Sequence, residues 1–291
     1  MGEAKRRKEA ARLEGKPLDF RKFRRGGRVP PPTAGPGAIP DAGPPPVFEP
    51  TPENRLKIFF AVPTVDGKVN WTIAHQMGRM MAYNADPTSP LAFATFIMVG
   101  QRPIEYARNK IVQTFMNQSD CHWLYMVDAD QVMPENWWEL VRVPTDIVSG
   151  KTHCWVGNGY LPGRLRVNQY GLDEKSQCFN LTPPDETDGP YQIPVVGTGC
   201  IAIRRRVFEK VGDRPFKFTY TDEGKVIAGE DVNFSVTAQR AGFRIAVHPG
   251  VKFGHMKELD LSQIEEYERA SHEFRSAGKQ HQMADMLSIA V

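Results

Sequence analysis

The sequence predicts an α/β fold, a layered and largely parallel sheet with helices on both faces. Three observations predict it. Short apolar runs of strand length alternate with segments whose apolar residues recur at helical spacing. The run Trp123-Leu-Tyr-Met-Val127 is apolar throughout, as in a strand buried on both faces, and stops abruptly at Asp128-Ala-Asp130. The 291 residues, 41% hydrophobic and 24% charged, suffice for one sizeable core with appendages.

In chain order, residues 1–28 form a basic arm with 11 Lys or Arg against 4 acids, and the rest of the chain is net acidic. Residues 3–14 hold good helix formers but almost no apolar stripe, which predicts a solvated helix. Such an arm is a solubilising tail or a contact for an anionic surface. Residues 29–54 read as a linker, because 10 of the 24 residues from Val29 to Pro52 are proline and favour extended backbone. Both arm and linker are expected to lie outside the packed core.

The folded domain is expected over residues 55–258. Leu56–Val62 reads as a buried strand stopped by Pro63, and Leu91–Val99 as a second strand. Between them, Ile73, Met77, Met80 and Met81 mark a helix over Trp71–Asn84. Ile104, Ala107, Ile111, Val112 and Phe115 share one face of a helix over Ile104–Met116, just before the Trp123–Val127 strand. Asp146–Ser149 is a further short strand. Residues 151–189, rich in Gly, Pro, Asn and Asp, read as an irregular substrate-facing region. Strand character returns over Val195–Ile203, helices are expected over Arg204–Val211 and Val232–Ala241, and Gly242 caps the latter. Phe243–Val247 reads as a strand, with His255 beyond a turn, and residues 259–291 as a C-terminal helical extension.

Several classes are excluded at this level. The longest apolar run, Leu91–Val99, is about half of the ~18 residues a membrane helix needs. The charged N-terminus lacks the apolar middle of a secretory signal, so cytoplasmic residence is expected. Cys121, Cys154, Cys178 and Cys200 form no CxxC pair and read as reduced thiols, neither a zinc site nor a disulfide framework.

Four groups of residues carry chemistry. On an extended chain Asp128 and Asp130 point the same way, and adjacent carboxylates repel unless a hard divalent cation neutralises them. A strand-end turn with solvated acids is the plain alternative. Arg102 and Arg108, in and before Tyr106-Ala-Arg108-Asn109, offer forked donors that suit a diphosphate, or are surface arginines. Gly229-Glu230-Asp231 sets carboxylates at a helix N-terminus, where the dipole favours negative charge, unless Asp231 merely caps the helix. His255 offers an imidazole, a frequent metal ligand and as often a structural residue.

Taken in order, Ala61-Val-Pro63-Thr64, Ala107-Arg108-Asn109, Val127-Asp128-Ala-Asp130, Gly197-Thr-Gly199-Cys-Ile-Ala-Ile-Arg204-Arg205, Gly229-Glu230-Asp231-Val-Asn-Phe234 and His255 resemble the GT-A-fold glycosyltransferases. The resemblance is strongest to the family-2-like inverting enzymes and runs from about Arg55 to His255. It implies a GT-A-type, Rossmann-like sheet and a divalent-metal-dependent transfer of a sugar, of hexosyltransferase type, from a nucleoside diphosphate donor to an acceptor hydroxyl. By the resemblance, Pro63, Thr64 and Asp66 line the nucleobase and ribose pocket, and Arg102 and Arg108 approach the diphosphate. Asp128 contacts ribose or metal, Asp130 and His255 bind the metal (Mn2+ or Mg2+), and Gly197 and Gly199 allow close approach of the sugar. One carboxylate of Glu230-Asp231 is the general base, with Asp231 favoured by motif position. The donor would be of UDP or GDP type, and the acceptor a glycan, lipid carrier, protein or modified DNA. Two departures stand out. Val65-Asp66-Gly67 replaces the more usual aromatic-Asn, and the Gln-X-X-Arg-Trp element of processive synthases does not follow Glu230-Asp231. The competing readings are a sugar nucleotidyltransferase, which wants a glycine-rich basic loop after the first strand, and a catalytically silent sugar-nucleotide or nucleic-acid binding module.

Overall fold

The computed structural model describes residues 49–156, 164–173, 178–181, 189–220, 222, 224, 226–256 and 269. The arm, the linker up to residue 48, and the C-terminal extension apart from the helical Arg269 therefore lie outside the described residues. The first strand, β1 (Leu56–Thr64), is followed by α1 (Trp71–Ala85), β2 (Leu91–Val99), α2 (Ile104–Gln118), β3 (Trp123–Val127) and β4 (Gln131–Val132). A 3-10 helix (Trp137–Arg142) leads to β5 (Ile147–Val156), β6 (Arg164–Val167), β7 (Gln169–Asp173), β8 (Cys178–Leu181), β9 (Tyr191–Gln192) and β10 (Val195–Val196). Then come β11 (Cys200–Arg204), α3 (Arg205–Val211), β12 (Thr219–Tyr220), β13 (Val226–Ala228), α4 (Glu230–Arg240) and β14 (Ile245–His255).

The main sheet has the order β2-β1-β3-β11-β5-β14-β4. β1 is parallel to β2 and β3, and β14 is parallel to β5, while β11 runs antiparallel between β3 and β5. This is the expected layered α/β sheet, with most strands pointing the same way, and β11 is an antiparallel strand within it. A parallel return needs a crossover, usually helical. Between β5 and β11 the described residues carry only short strands, and β11 enters from the edge at which β5 leaves.

Side-chain alternation along β1 divides the core. Ile58, Phe60 and Val62 pack with Ile73 and Met80 of α1 and with Trp137 and Leu140 of the 3-10 helix. Phe59 and Ala61 face the opposite layer, with Ile111, Val112 and Phe115 of α2, Phe208 of α3 and Phe234 of α4. Helices thus cover both faces. None among the described residues is long and apolar enough to cross a membrane.

Several boundaries differ from expectation. β1 continues through Pro63, which pairs with Met98 on β2, because its ladder with β3 has already ended at Ala61 opposite Met126. There the missing N–H of proline costs no sheet bond. Residues 151–189 are not simply irregular: β5 extends to Val156 and pairs with β6 from His153–Val167 to Val156–Arg164, and β7 pairs with β8. Local antiparallel pairing, and not apolar alternation, makes these strands. Val195–Ile203 is two strands, parted at Gly197-Thr-Gly199. His255 ends the long strand β14 itself, whose register with β5 shifts between His248 and Lys252.

Candidate functional site

Arg108 is the centre of the site, and the fold buries it almost completely, at 3% exposure. It lies on the inner face of α2 beside Ala107, Ile111 and Val112. Its Nη2 donates to both carboxylate oxygens of Asp128, at 2.8 and 3.0 Å, and its Nη1 to Glu230 Oε1. One guanidinium therefore ties the end of β3 to the first residue of α4. Its neighbour Asn109 clamps the backbone of Phe216, donating to the carbonyl at 2.7 Å and accepting from the N–H at 3.0 Å. The two residues of one dipeptide thus hold three separate segments of the chain.

Burial opposes the charge of Arg108, but the Asp128 and Glu230 carboxylates outweigh it and hold the guanidinium above its ordinary pKa. The acids respond differently. Burial raises Glu230 above the usual carboxylate range, and the Arg108 guanidinium offsets part of that rise. Burial likewise raises Asp231, against the backbone N–H of Val232 and, more weakly, Arg108. α4 begins at Glu230, two residues earlier than the apolar pattern suggests, with Gly229 in the capping position and no side-chain cap. Asp231 is therefore not the N-cap but a first-turn acid, accepting from Val232 N–H at 2.7 Å. Asn233, one turn into the helix, donates to the carbonyls of Lys217 and Gly229 and to Thr219 Oγ1, which fastens this helix end to the β12–β13 hairpin.

Asp128 and Asp130 do not share one face. Asp128 N–H still continues the ladder with β11, donating to Gly199 O at 2.8 Å, but the chain then turns at Ala129 and Asp130, where Gln131 N–H donates to Asp128 O at 3.0 Å. The turn separates the two carboxylates. Asp128 faces Arg108, whereas Asp130 Oδ2 lies 3.0 Å from His255 Nε2. The pairing of His255 with Gln131 on β4, and a bond from Met256 N–H to Asp130 O, set the register that brings this second pair together. His255 Nδ1 lies 2.7 Å from the His153 carbonyl, which can only accept, so Nδ1 carries a proton and Nε2 is turned to Asp130.

The expected set Asp128, Asp130 and His255 is thus split. Among the described residues no group of three or more His, Cys, Asp or Glu side chains is placed to hold a metal ion. Asp130 and His255 alone supply a carboxylate oxygen and an imidazole nitrogen. Two such donors bound at right angles to one ion, at ~2.1 Å each, lie about 3 Å apart, and this pair is at 3.0 Å. The donor chemistry and spacing would suit a divalent cation.

The other expected residues are distributed around this centre. Pro63 and Thr64 end β1, and Thr64 Oγ1 donates to Lys68 O, which closes the loop above it. In that loop exposed Asp66 accepts from Lys68 N–H and pairs with Lys68 Nζ at 3.2 Å, and the Lys68 N–H holds its pKa below the ordinary value. Arg102 is exposed in the turn before α2 and lies apart from the buried bridge. Gly199 backs the site: a Cβ there would lie 3.5 Å from Asp128 Oδ2 and 3.4 Å from Gln131 Nε2. Gly197 has a packing role, since a Cβ would fall 1.7 Å from the Asn168 amide. Cys200, beside Gly199, is buried, and burial pushes its thiol up to about 12, so it stays neutral and is no nucleophile.

Three contributors carry little sequence signal. Gln131 is buried and accepts from Thr152 Oγ1 at 2.7 Å, bracing the turn after Asp130. His153 acts through its carbonyl, which no side-chain pattern reveals. Asn70 N–H donates to Ala129 O at 2.8 Å while its side chain caps α1, which fixes exposed Trp71 beside the Asp128–Asp130 turn. A polar residue directly after an Asp-X-Asp turn, and an Asn before a helical stripe, are the signals that point to Gln131 and Asn70.

No protein-family model matches the sequence. No curated protein matches it. Among solved structures the chain is similar to A197 from STIV, at 16% identity and a TM-score of 0.45, over 69% of this chain and 86% of that one. It is similar to GalNAc-T7 with UDP, GalNAc and Mn2+, at 15% identity and a TM-score of 0.44, over 72% of this chain and 45% of that one. It is also similar to the catalytic domain of Drosophila β1,4-galactosyltransferase 7 in complex with xylobiose, at 15% identity and a TM-score of 0.39, over 69% of this chain and 71% of that one.

Proposed function

We propose that this chain is a divalent-metal-dependent glycosyltransferase that moves a sugar from a nucleoside diphosphate donor to an acceptor hydroxyl with inversion. The observation that carries the reading is the Asp130–His255 pair, 3.0 Å apart with the imidazole locked by the His153 carbonyl, at the same end of the sheet as the buried Asp128–Arg108–Glu230 bridge. Ligands of open α/β sheets bind at the carboxyl ends of the strands, where all of these groups lie.

In this reading Asp130 and His255 hold the cation, Mn2+ or Mg2+. When bound, it offsets the charge that builds on the departing diphosphate. The β1 loop from Thr64 to Lys68 borders the nucleoside, with Asp66 as a hydrogen-bond acceptor and Arg102 at the open rim. Asp128, held by Arg108 and backed by Gly199, accepts from the donor's ribose or sugar hydroxyls. Asp231 takes the proton from the acceptor hydroxyl as its oxygen attacks the anomeric carbon. Its raised pKa suits a base that must hold that proton, and Glu230 serves as its anchor through Arg108. A direct attack by the acceptor opposite the leaving group inverts the anomeric centre. Lys68, already engaged by Asp66, and the single Gly67 make a poor phosphate cradle, which disfavours a nucleotidyltransferase.

The test is a thermal-shift panel of UDP- and GDP-sugars with and without Mn2+, followed by assay of nucleoside diphosphate release with glycan, lipid-carrier, protein and modified-DNA acceptors. A ligand that binds only the folded state raises the unfolding midpoint. A manganese-dependent shift with one nucleotide class supports the reading. No shift with any sugar nucleotide at millimolar concentration refutes it.

A further inference from the structure

We propose that Arg108 is a positioning residue that joins the donor half of the site to the acceptor half, and that it contacts neither substrate. The inference rests on the glycosyltransferase reading and corrects one part of it, since the resemblance assigns Arg108 to the diphosphate. The guanidinium has no free approach to a ligand. Its side chain is 4% exposed, Nη2 is committed to both oxygens of Asp128, and Nη1 is committed to Glu230. Its Nε is buried without a partner among the described residues, so the geometry is set by the two carboxylates and not by the full donor capacity of the side chain.

The consequence is mechanical. Asp128 ends a strand of the central sheet, Glu230 begins α4, and Arg108 lies 20 residues from the first and 122 from the second in sequence. Asp231, the next residue of α4, takes its position from Glu230. A carboxylate facing the donor and a carboxylate facing the acceptor are thus held at a fixed separation by one planar fork. A lysine carries the same charge but is a point donor on a flexible stem and cannot span two carboxylates with three parallel bonds. Without the fork, Asp128 and Glu230 would face each other across a cavity with unscreened like charge, and the start of α4 would move outward. Displacements of about 1 Å at a catalytic group cost on the order of 100-fold in rate.

The experiment compares wild type with Arg108→Lys and Arg108→Ala, measuring donor affinity by calorimetry with Mn2+, and kcat and KM for transfer. The expected result is a kcat reduced about 100-fold in Arg108→Lys with donor affinity within about threefold of wild type. Free guanidinium should restore part of the kcat of Arg108→Ala. A readout independent of turnover is amide exchange without metal or donor: protection should fall at residues 230–233 and stay unchanged in β1 and β3. Loss of donor affinity in proportion to kcat would overturn the proposal in favour of direct diphosphate contact. Unchanged kcat in Arg108→Lys would overturn it as well, as would failure of both variants to fold, which would make Arg108 a folding residue. Wild-type protein inactive with every sugar nucleotide would instead refute the underlying reading, and the proposal with it.

Discussion

Replacing Asp231 with asparagine tests the proposed base apart from its neighbour, because the two acids of Glu230-Asp231 have different partners. Glu230 is nearly buried and bound to Arg108. Asp231 makes no such pair; it accepts from Val232 N–H in the first turn of α4. Asparagine keeps the size and the accepting oxygen but cannot take a proton at neutral pH. The expected loss in kcat is 10²–10⁴-fold, the usual contribution of a general base, or about 2.7–5.5 kcal/mol of barrier. The fold should barely notice. A first-turn anion gains roughly 0.3–1 kcal/mol from the helix dipole, and its removal is offset by relief of a buried charge. Glu230→Gln should behave differently, with a kcat loss nearer ~10-fold, because the anchor weakens while the base survives. The assay is steady-state transfer at saturating donor, with donor binding measured separately by calorimetry. The wild-type rate should rise with pH through a value above the ordinary 3.8 of an aspartate, since burial holds the proton on Asp231 longer, and the variant should lack that limb. Stability carries the opposite sign. A raised folded-state pKa makes ionisation costlier in the fold, so the contribution of Asp231 declines as pH climbs from 3.8 through the raised value, and Asp231→Asn flattens that decline. Normal turnover in Asp231→Asn, or donor affinity falling in step with kcat, would refute the assignment.

Asp130→Ala should abolish, and His255→Ala weaken, the manganese-dependent part of the thermal shift given by a nucleoside diphosphate; an unchanged manganese response in both would remove the metal assignment. Asn109→Ala removes two hydrogen bonds and strands both backbone groups of Phe216, which is 1% exposed, so it should destabilise the protein by about 2–4 kcal/mol, read as a lower urea midpoint at constant slope. Deleting residues 1–48 should leave the unfolding midpoint within about 2 °C, while raising the KM of an anionic acceptor and removing its salt dependence, because exposed charges are screened over ~10 Å at 0.1 M salt. A larger fall in midpoint would mean that the arm packs on the domain.

What was legible in the sequence follows the range of the interactions involved. β3 has the bounds expected, Trp123–Val127, because a strand covered on both faces must be apolar along its length, and β2 has its expected bounds, Leu91–Val99, as an apolar edge strand paired along its whole length with β1. α1 and α2 were legible from one apolar stripe each. The short strands between residues 151 and 189 were not, because their pairing is decided by turns and neighbours and leaves no periodic trace. The antiparallel sense of β11 was hidden for a related reason, since direction depends on the edge at which the preceding segment leaves the sheet. Proline as a strand breaker failed at Pro63 only because β3 ends early beside it, a fact about another strand.

The same limit explains the site. That carboxylates, an arginine and a histidine belong together was readable from their types and order. Which carboxylate meets which cation was not. The i, i+2 rule places Asp128 and Asp130 on one side only while the chain stays extended, and the bond from Gln131 N–H to Asp128 O closes a turn at Ala129 and Asp130. That turn converts one apparent pair into two sites, Asp128 with Arg108 and Asp130 with His255. Separation has a chemical use. A carboxylate neutralised by a buried guanidinium keeps a fixed place whether or not a cation is present, whereas a carboxylate beside an imidazole nitrogen offers two donor atoms between which a cation can be held. In the proposed function, substrate positioning by Asp128 and metal capture by Asp130 would thus be independent of each other, although the two residues are two apart in the chain.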